Sequence, residues 1–311
     1  LNANEVEAGL RPASTIPRRE IPLRGYIIVL SGTVVWALTG IVIKILLTRY
    51  NVDTLTIAFW RVFIVTAFVF LMLLIFDSKS LRVAPRDLGI FFVYGLIGIG
   101  IHQIVWISSV QYNGAAVATV IIYTGPAIVA ILAARFLHER FTRLKLIALT
   151  LTILGCALVA RVYDTGALAL NWVGLGAGIG SAFTFATYSL IGRVLSRRYN
   201  AWSALFYAFL FGFIFLIPVT ILFRNPVPQN LSLDGWGWLV FLALVPTLGG
   251  FASYTIGLSH LPASVASLLA AFEPVTTAIV AYFVFGETLD TWQLLGGALI
   301  LGSVILLRPK S

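Results

Sequence analysis

The sequence predicts an all-α integral membrane protein whose ten transmembrane helices form two inverted five-helix repeats. Three observations carry that expectation: the composition, a series of long apolar runs, and a segment that returns 148 residues later. Of the 311 residues, 59% are hydrophobic and 11% charged, and mean hydropathy is +0.98. That balance belongs to a chain surrounded by lipid, not to a water-soluble domain.

A bilayer core needs about 20 apolar residues per helix. Read at that length, the chain offers ten runs, at 25–47, 54–76, 87–110, 115–137, 143–162, 172–195, 202–223, 236–257, 263–285 and 290–307. The first two are parted by Asn51-Val52-Asp53, and the seventh is closed by Arg224-Asn225-Pro226. The runs are continuous and do not alternate, so they predict helices and not barrel strands. Residues 1–24 carry Pro and Arg without an apolar stretch and are expected to be a cytoplasmic tail, neither a signal peptide nor a folded unit. The single Cys156 falls in the fifth run, which excludes an intramolecular disulfide. Asn230-Leu231-Ser232 fits the glycosylation pattern, a short motif that chance supplies often.

The net charge of +9 raises the question of an acidic partner. Sorting the 21 Lys and Arg by loop answers it. With the N-terminus inside, 16 fall on the cytoplasmic side, and only Arg49, Arg161 and Arg224 fall outside. Lys44 and Arg61 remain within runs one and two, near the outer ends, where long basic side chains are expected to snorkel. The asymmetry is the positive-inside bias, so both termini are expected in the cytoplasm and the charge is no nucleic-acid footprint.

The internal repeat spans about half the chain. GAAVATVIIYTGPAIVAILAARFLHER, from Gly114, returns as PASVASLLAAFEPVTTAIVAYFVFGET, so that Pro126 falls on Pro274 and Glu139 on Glu287. Arg49-Tyr50-Asn51 recurs as Arg198-Tyr199-Asn200, 149 residues on. The halves are expected over 25–162 and 172–307. Five spans is an odd number, so the second copy must be upside down, related to the first by a two-fold axis in the membrane plane. Two antiparallel bundles can rock about a shared central site and expose it to each side in turn.

These residues also carry a family resemblance. Each repeat has an apolar span with a central Pro that ends in a Glu turn: Phe136-Leu137-His138-Glu139-Arg140, and Phe283-Val284-Phe285-Gly286-Glu287-Thr288. With Phe272-Glu273-Pro274-Val275 and the Gly296-Gly297 pair, they resemble the EamA domains of the drug/metabolite transporter superfamily. The resemblance covers nearly everything after residue 24. It implies ten helices, both termini inside and a substrate cavity near the bundle centre. The aromatic-rich interior looks most like the bacterial exporters of aromatic amino acids. One departure is that Thr124-Gly125-Pro126 stands where the second repeat has Phe272-Glu273-Pro274, so the acid is in one half only.

The candidate site follows from the repeat. Antiparallel copies bring Pro126 and Pro274 to the bilayer midplane. Each proline denies a hydrogen bond to the carbonyl four residues back, at Ile122 and Ala270. Such carbonyls could accept from a substrate ammonium, and the half-helix N-termini could attract a carboxylate; the plainer alternative is a packing kink. Glu273 lies beside that midplane. A charge at this depth costs at least ~2.5 kcal/mol on insertion scales, so a coupling proton, a substrate amine or a hydrogen bond within the bundle must account for it. His102, Gln103 and Trp106 cluster in span three, and Phe251 and Tyr254 in span eight, with Tyr254 at the repeat position of Trp106. They are expected to meet in mid-bundle, joined by Trp36, Tyr123, Phe185, Tyr188 and Phe272. Packing or interfacial anchoring is the alternative for each ring.

Enzymatic readings find little support. The glycine series from Gly174 to Gly180 opens a membrane span and follows no strand, so helix packing explains it better than a nucleotide loop. His138-Glu139 lacks the second histidine of a zinc-protease helix, and no Cys/His cluster, nucleophile elbow or phosphate loop appears. No cofactor, metal or nucleic acid is expected, and no catalytic set. The expected function is a secondary carrier of small organic solutes in a bacterial inner membrane, an exporter of aromatic or apolar amino acids, with protons as the candidate coupling ion. A carrier of another metabolite or drug, such as a nucleobase or polyamine, stays open, as does a non-transporting membrane enzyme or scaffold.

Overall fold

The computed structural model describes residues 23–164, 171–223, 228, 231–286 and 289–307, the side chains of 114–116 and 285 excepted. Most of the tail expected over 1–24 lies outside these, as do Asn230, Glu287, Thr288 and everything past residue 307. Every regular element among the described residues is helical. Eight helical runs of 20 to 29 residues are long and apolar enough to cross a membrane: Leu23–Arg49, Thr54–Phe76, Pro85–Asn113, Val117–Phe136, Trp172–Leu195, Ala201–Phe223, Leu233–His260 and Ala263–Val284. These match runs one to four and six to nine. The fifth and tenth positions hold shorter helices, α7 (Arg143–Val159, 17 residues) and α14 (Thr291–Leu306, 16 residues). At 1.5 Å per residue each reaches only about 25 Å, short of the ~30 Å hydrocarbon layer. Length alone therefore supports eight spans and two shorter helices among the described residues, not the full ten.

Several spans are interrupted, and the interruptions repeat. The first divides into α1 (Leu23–Trp36) and α2 (Leu38–Arg49) at Ala37, and α3 (Thr54–Phe76) follows unbroken. Span three runs from α4 (Leu88–Gly95) through one wide π-helical turn at Leu96–Ile101 into α5 (His102–Ile122). Span eight runs from α10 (Leu233–Leu242) through a second π turn at Ala243–Leu248 into α11 (Gly249–His260). Pro246 sits in that second turn, and the Thr247 hydroxyl donates 2.8 Å to the Leu242 carbonyl five residues back. A π turn is one inserted residue, which rotates everything after it. Here it aims His102 and Gln103 in one repeat, and Phe251 and Tyr254 in the other.

The helix α5 cannot be straight. A Cβ placed on Gly178 would lie 2.8 Å from Ser109 Oγ and 2.9 Å from Ile121 Cγ2, although a straight helix would part those residues by about 18 Å. The chain therefore turns back between them, and spans three and four both flank α8 (Trp172–Leu195). The glycine series expected to pack helices does so at Gly174, against Asn113, and at Gly178.

The two repeats clasp each other through exchanged contacts. A Cβ on Gly32 of α1 would lie 2.2 Å from Ser253 Cβ of α11, and one on Gly180 of α8 would lie 3.6 Å from Val105 of α5. Gly180 is 148 residues after Gly32, and Val105 is 148 before Ser253, so the second contact is the first with the repeats swapped. That reciprocity defines a two-fold relation. The repeated Arg-Tyr-Asn motif obeys it too. Tyr199 donates to Asp87 at 2.7 Å with Arg198 3.3 Å from the same carboxylate, while Tyr50 donates to Asp234, 3.9 Å from Arg49. Each hydrogen bond holds its tyrosine's phenol above its ordinary pKa, because the partner is a carboxylate.

Outward faces carry large apolar side chains, among them Phe76, Trp172, Leu233 and Phe283, as a lipid-facing surface should. The core runs along α3, α9 (Ala201–Phe223), α11 and α12 (Ala263–Ala270), and every residue of α12 is buried. Asp53, Asn171, Ser232 and Asp290 cap the first turns of α3, α8, α10 and α14. The short helices α7 and α14 meet backbone to backbone, for a Cβ on either Gly155 or Gly296 would lie 2.7 Å from the other's carbonyl oxygen. Thr152 donates to Ser303 at 2.9 Å across the same seam.

Candidate functional site

Spans four and nine break at matched points. The chain leaves α5 at Ile122 and resumes as α6 (Gly125–Phe136); it leaves α12 at Ala270 and resumes as α13 (Glu273–Phe285). Pro126 and Pro274 occupy the second position of the resumed half-helices, where a missing N–H costs no intrahelical bond. The breaks thus precede the prolines, and both rings are buried by neighbouring helices. The residues at the breaks are Tyr123 and Thr124 in one repeat, and Ala271 and Phe272 in the other.

These two hinges touch. Tyr123 donates to Glu273 Oε2 at 2.8 Å, so a phenol at the break of the first repeat meets an acid at the start of the resumed half-helix of the second. Tyr123 and Phe272 also pack on a small cluster of Cys156, Val159, Val275 and Ile300. The acid is half-buried with a named partner, and of the alternatives posed by the sequence, a hydrogen bond within the bundle is the one visible in this state.

The polar pair of span three diverges. His102 Nδ1 lies 2.8 Å from Thr184 Oγ1 of α8, and that hydroxyl donates onward to the Ser181 carbonyl at 2.9 Å. With its proton spent on Ser181, Thr184 accepts from His102, which fixes the proton on Nδ1. Gln103 points elsewhere. It is 4% exposed and lines a small cavity with Arg61 and Trp106.

Five of the eight aromatic candidates form one group; Tyr123 and Phe272 pack at the hinges instead, and Trp106 elsewhere. Trp36, Tyr188, Phe185 and Tyr254 gather around Phe251 and each other, with ring centroids 4.6 Å apart for Trp36–Phe251, 5.4 Å for Tyr188–Phe251 and 5.7 Å for Phe185–Tyr254. Tyr254 and Ser189 share a 2.6 Å hydrogen bond, and Tyr188 and Thr255 one of 2.8 Å. Tyr188 and Tyr254 are 1% exposed, so this group is packed shut. Trp106 is not part of it. It packs instead with Val42, Leu46, Ile57 and Leu239, beside Trp60 and Trp236. The expected meeting of Trp106 with Tyr254 does not occur in this structure. They are repeat-equivalent, and a two-fold operator brings equivalent residues together only near its axis.

Three charged side chains turn inward where the sequence places them at span ends or in a turn. Arg61, expected to snorkel, is 7% exposed and lines the cavity with Gln103. Hydropathy gives a charge its depth along a helix but not the face it occupies. Lys145 stands 3.6 Å from Glu139, whose carboxylate accepts from the Ala263 and Ser264 amides at 2.7 and 3.3 Å. Glu139, flagged only as a turn residue, therefore caps α12 of the other repeat.

Comparison with known proteins agrees with this architecture. The EamA-like transporter family matches twice, over residues 23–161 and 172–308. An uncharacterized transporter of Archaeoglobus fulgidus is 29% identical over 254 residues, covering 82% of this chain and 86% of the relative. A probable terminal-alkyne amino-acid exporter of Streptantibioticus cattleyicolor is 27% identical over 241 residues, covering 74% and 76%. A solved crystal structure superposes with a TM-score of 0.78 at 17% identity, covering 91% of this chain and 96% of the other, a likeness of fold. The two repeats, the paired hinges and the double match lead to one assignment: this multi-pass membrane protein belongs to the EamA-like transporter family.

Proposed function

We propose that this chain is a secondary carrier that exports aromatic or other apolar amino acids by alternating access. The observation that carries the reading is the hinge pair, two broken spans from opposite repeats joined at Tyr123 and Glu273. A solute that separates the half-helices finds polar groups on both sides, a hinge tyrosine and acid, and an aromatic wall at Trp36, Phe251 and Tyr254. The Streptantibioticus relative, named a probable terminal-alkyne amino-acid exporter, supports an amino acid as the solute class.

The topology belongs to this proposal. Helices α7 and α14 serve as the fifth and tenth spans, the glycine seam letting two short helices share one hydrophobic span. The repeats occupy 25–162 and 172–307, inverted in a bacterial inner membrane with both termini in the cytoplasm. The 16-to-3 distribution of basic residues supports that orientation. Protons are the proposed coupling ion, with Glu273 as their site.

The test is uptake by proteoliposomes across a panel of amino acids, nucleobases and polyamines, with and without a pH gradient. Selective flux of Phe, Trp or Leu supports the proposal. Flux confined to nucleobases or polyamines transfers the fold to another substrate, and no flux of any solute leaves the carrier reading without support.

A further inference from the structure

Arg61 is a buried charge to which the described residues offer no counter-charge. Helix α3 carries it two turns beyond Thr54, where it is 7% exposed and its Nε has no hydrogen-bond partner. The ion pairs among the described residues include Arg49–Asp234, Lys145–Glu139, Arg161–Asp290 and Arg198–Asp87, and none of these carboxylates reaches Arg61. A buried guanidinium without a counter-charge among the described residues is disfavoured unless something else neutralises it.

The surroundings indicate what that is. Thr54, Ile57, Ala58 and Arg61 form one face of α3, and Gln103, Trp106 and Ile107 one face of α5, with the cavity between them. Gln103 is 4% exposed and lines the same cavity. A guanidinium fork beside an amide matches a planar two-oxygen acceptor, which Arg binds in bidentate fashion. The Trp106 ring supplies an apolar flank.

We propose that Arg61 and Gln103 receive the carboxylate of the transported solute, with Trp106 flanking that end of the molecule. The proposal rests on the carrier reading above and identifies the end of the substrate that this pocket holds. The cavity is small in this state, so occupancy requires α3 and α5 to part, a motion that rocking of the repeats supplies.

The experiment measures equilibrium binding of two probes to the purified full chain: 3-phenylpropionate, which has the carboxylate and no amine, and phenethylamine, which has the amine and no carboxylate. Arg61→Gln should weaken phenylpropionate tenfold or more, the loss expected for a charge-assisted pair, and leave phenethylamine unchanged. Arg61→Lys keeps the charge but not the fork and should fall between. Arg61→Gln should also melt no lower than wild type, because it removes an unpaired buried charge, whereas a structural arginine would lower the melting point. Equal binding of phenylpropionate to wild type and Arg61→Gln, or none to wild type, overturns the proposal. If Arg61→Gln does not yield folded protein, unchanged affinity in Arg61→Lys overturns it instead. Arg61-dependent binding in a protein that moves no amino acid in liposomes would retire the carrier reading and leave this site standing.

Discussion

Tyr123 and Glu273 are joined by a 2.8 Å hydrogen bond, although 150 residues and a repeat boundary separate them. Tyr123 sits at the break of its span, and Glu273 opens the half-helix that follows the break of the other, each beside or within a half-helix that carries a buried proline. Their repeat equivalents, Ala271 and Gly125, cannot reproduce the bond, so the tie breaks the two-fold symmetry of the fold. A symmetric scaffold with one asymmetric polar pair at its hinge has a place to sense protonation or substrate.

If Glu273 carries a coupling proton, Glu273→Gln should abolish stimulation by a pH gradient while exchange of substrate for substrate stays measurable. Tyr123→Phe removes only the donor. Its expected cost is about 1 kcal/mol of stability, with gradient dependence retained. Gradient dependence that survives in Glu273→Gln reduces the acid to a structural role. Flux with and without a gradient, measured in liposomes, separates these cases.

The aromatic residues should divide by position. Tyr254 is packed and bonded to Ser189, so Tyr254→Ala should lower thermal stability by about 3 kcal/mol, the scale of a core aromatic truncation. Trp106 borders the cavity and is half-buried. Trp106→Ala should express normally and lose about tenfold in apparent affinity for Phe while Thr transport changes little. Equal slowing of both solutes would make Trp106 a packing residue only.

The glycine seam gives a stability prediction of opposite signs. Gly155→Ala or Gly296→Ala drives a methyl into the facing backbone and should cost about 1–3 kcal/mol. Gly176→Ala meets nothing within 4 Å and should stabilise α8 by a few tenths to about 1 kcal/mol. Melting curves in one detergent compare all three.

Much of this was legible in the sequence, for physical reasons. Apolar runs long enough for a bilayer have few other uses, and a repeat that preserves Pro126 at Pro274 preserves the hinge with it. The Arg-Tyr-Asn recurrence was visible, but its purpose required the positions of Asp87 and Asp234, which sequence spacing does not pair. The π turns left no trace in hydropathy, since one inserted residue hardly changes a window of twenty, yet they decide where Gln103 and Tyr254 point. Arg61 is buried where a charge near a span's end is expected to reach water, because its face of α3 turns toward α5 and not outward. Trp106 lies apart from Tyr254 because equivalence in a repeat is not proximity in space.

Orientation can be read with a single introduced thiol. Cys156 is 1% exposed and should stay silent toward an impermeant maleimide. Asp164→Cys should label in intact cells and Ser78→Cys only after lysis. The reverse pattern would invert the proposed topology.

The central claim, that two hinged repeats expose one site alternately, is tested most directly by counterflow. Proteoliposomes loaded with unlabelled Phe should take up external labelled Phe several times faster than empty ones and transiently concentrate it, because a loaded site returns more readily than an empty one. Identical rates with and without internal Phe, rising linearly with external concentration, would describe a pore and contradict the account.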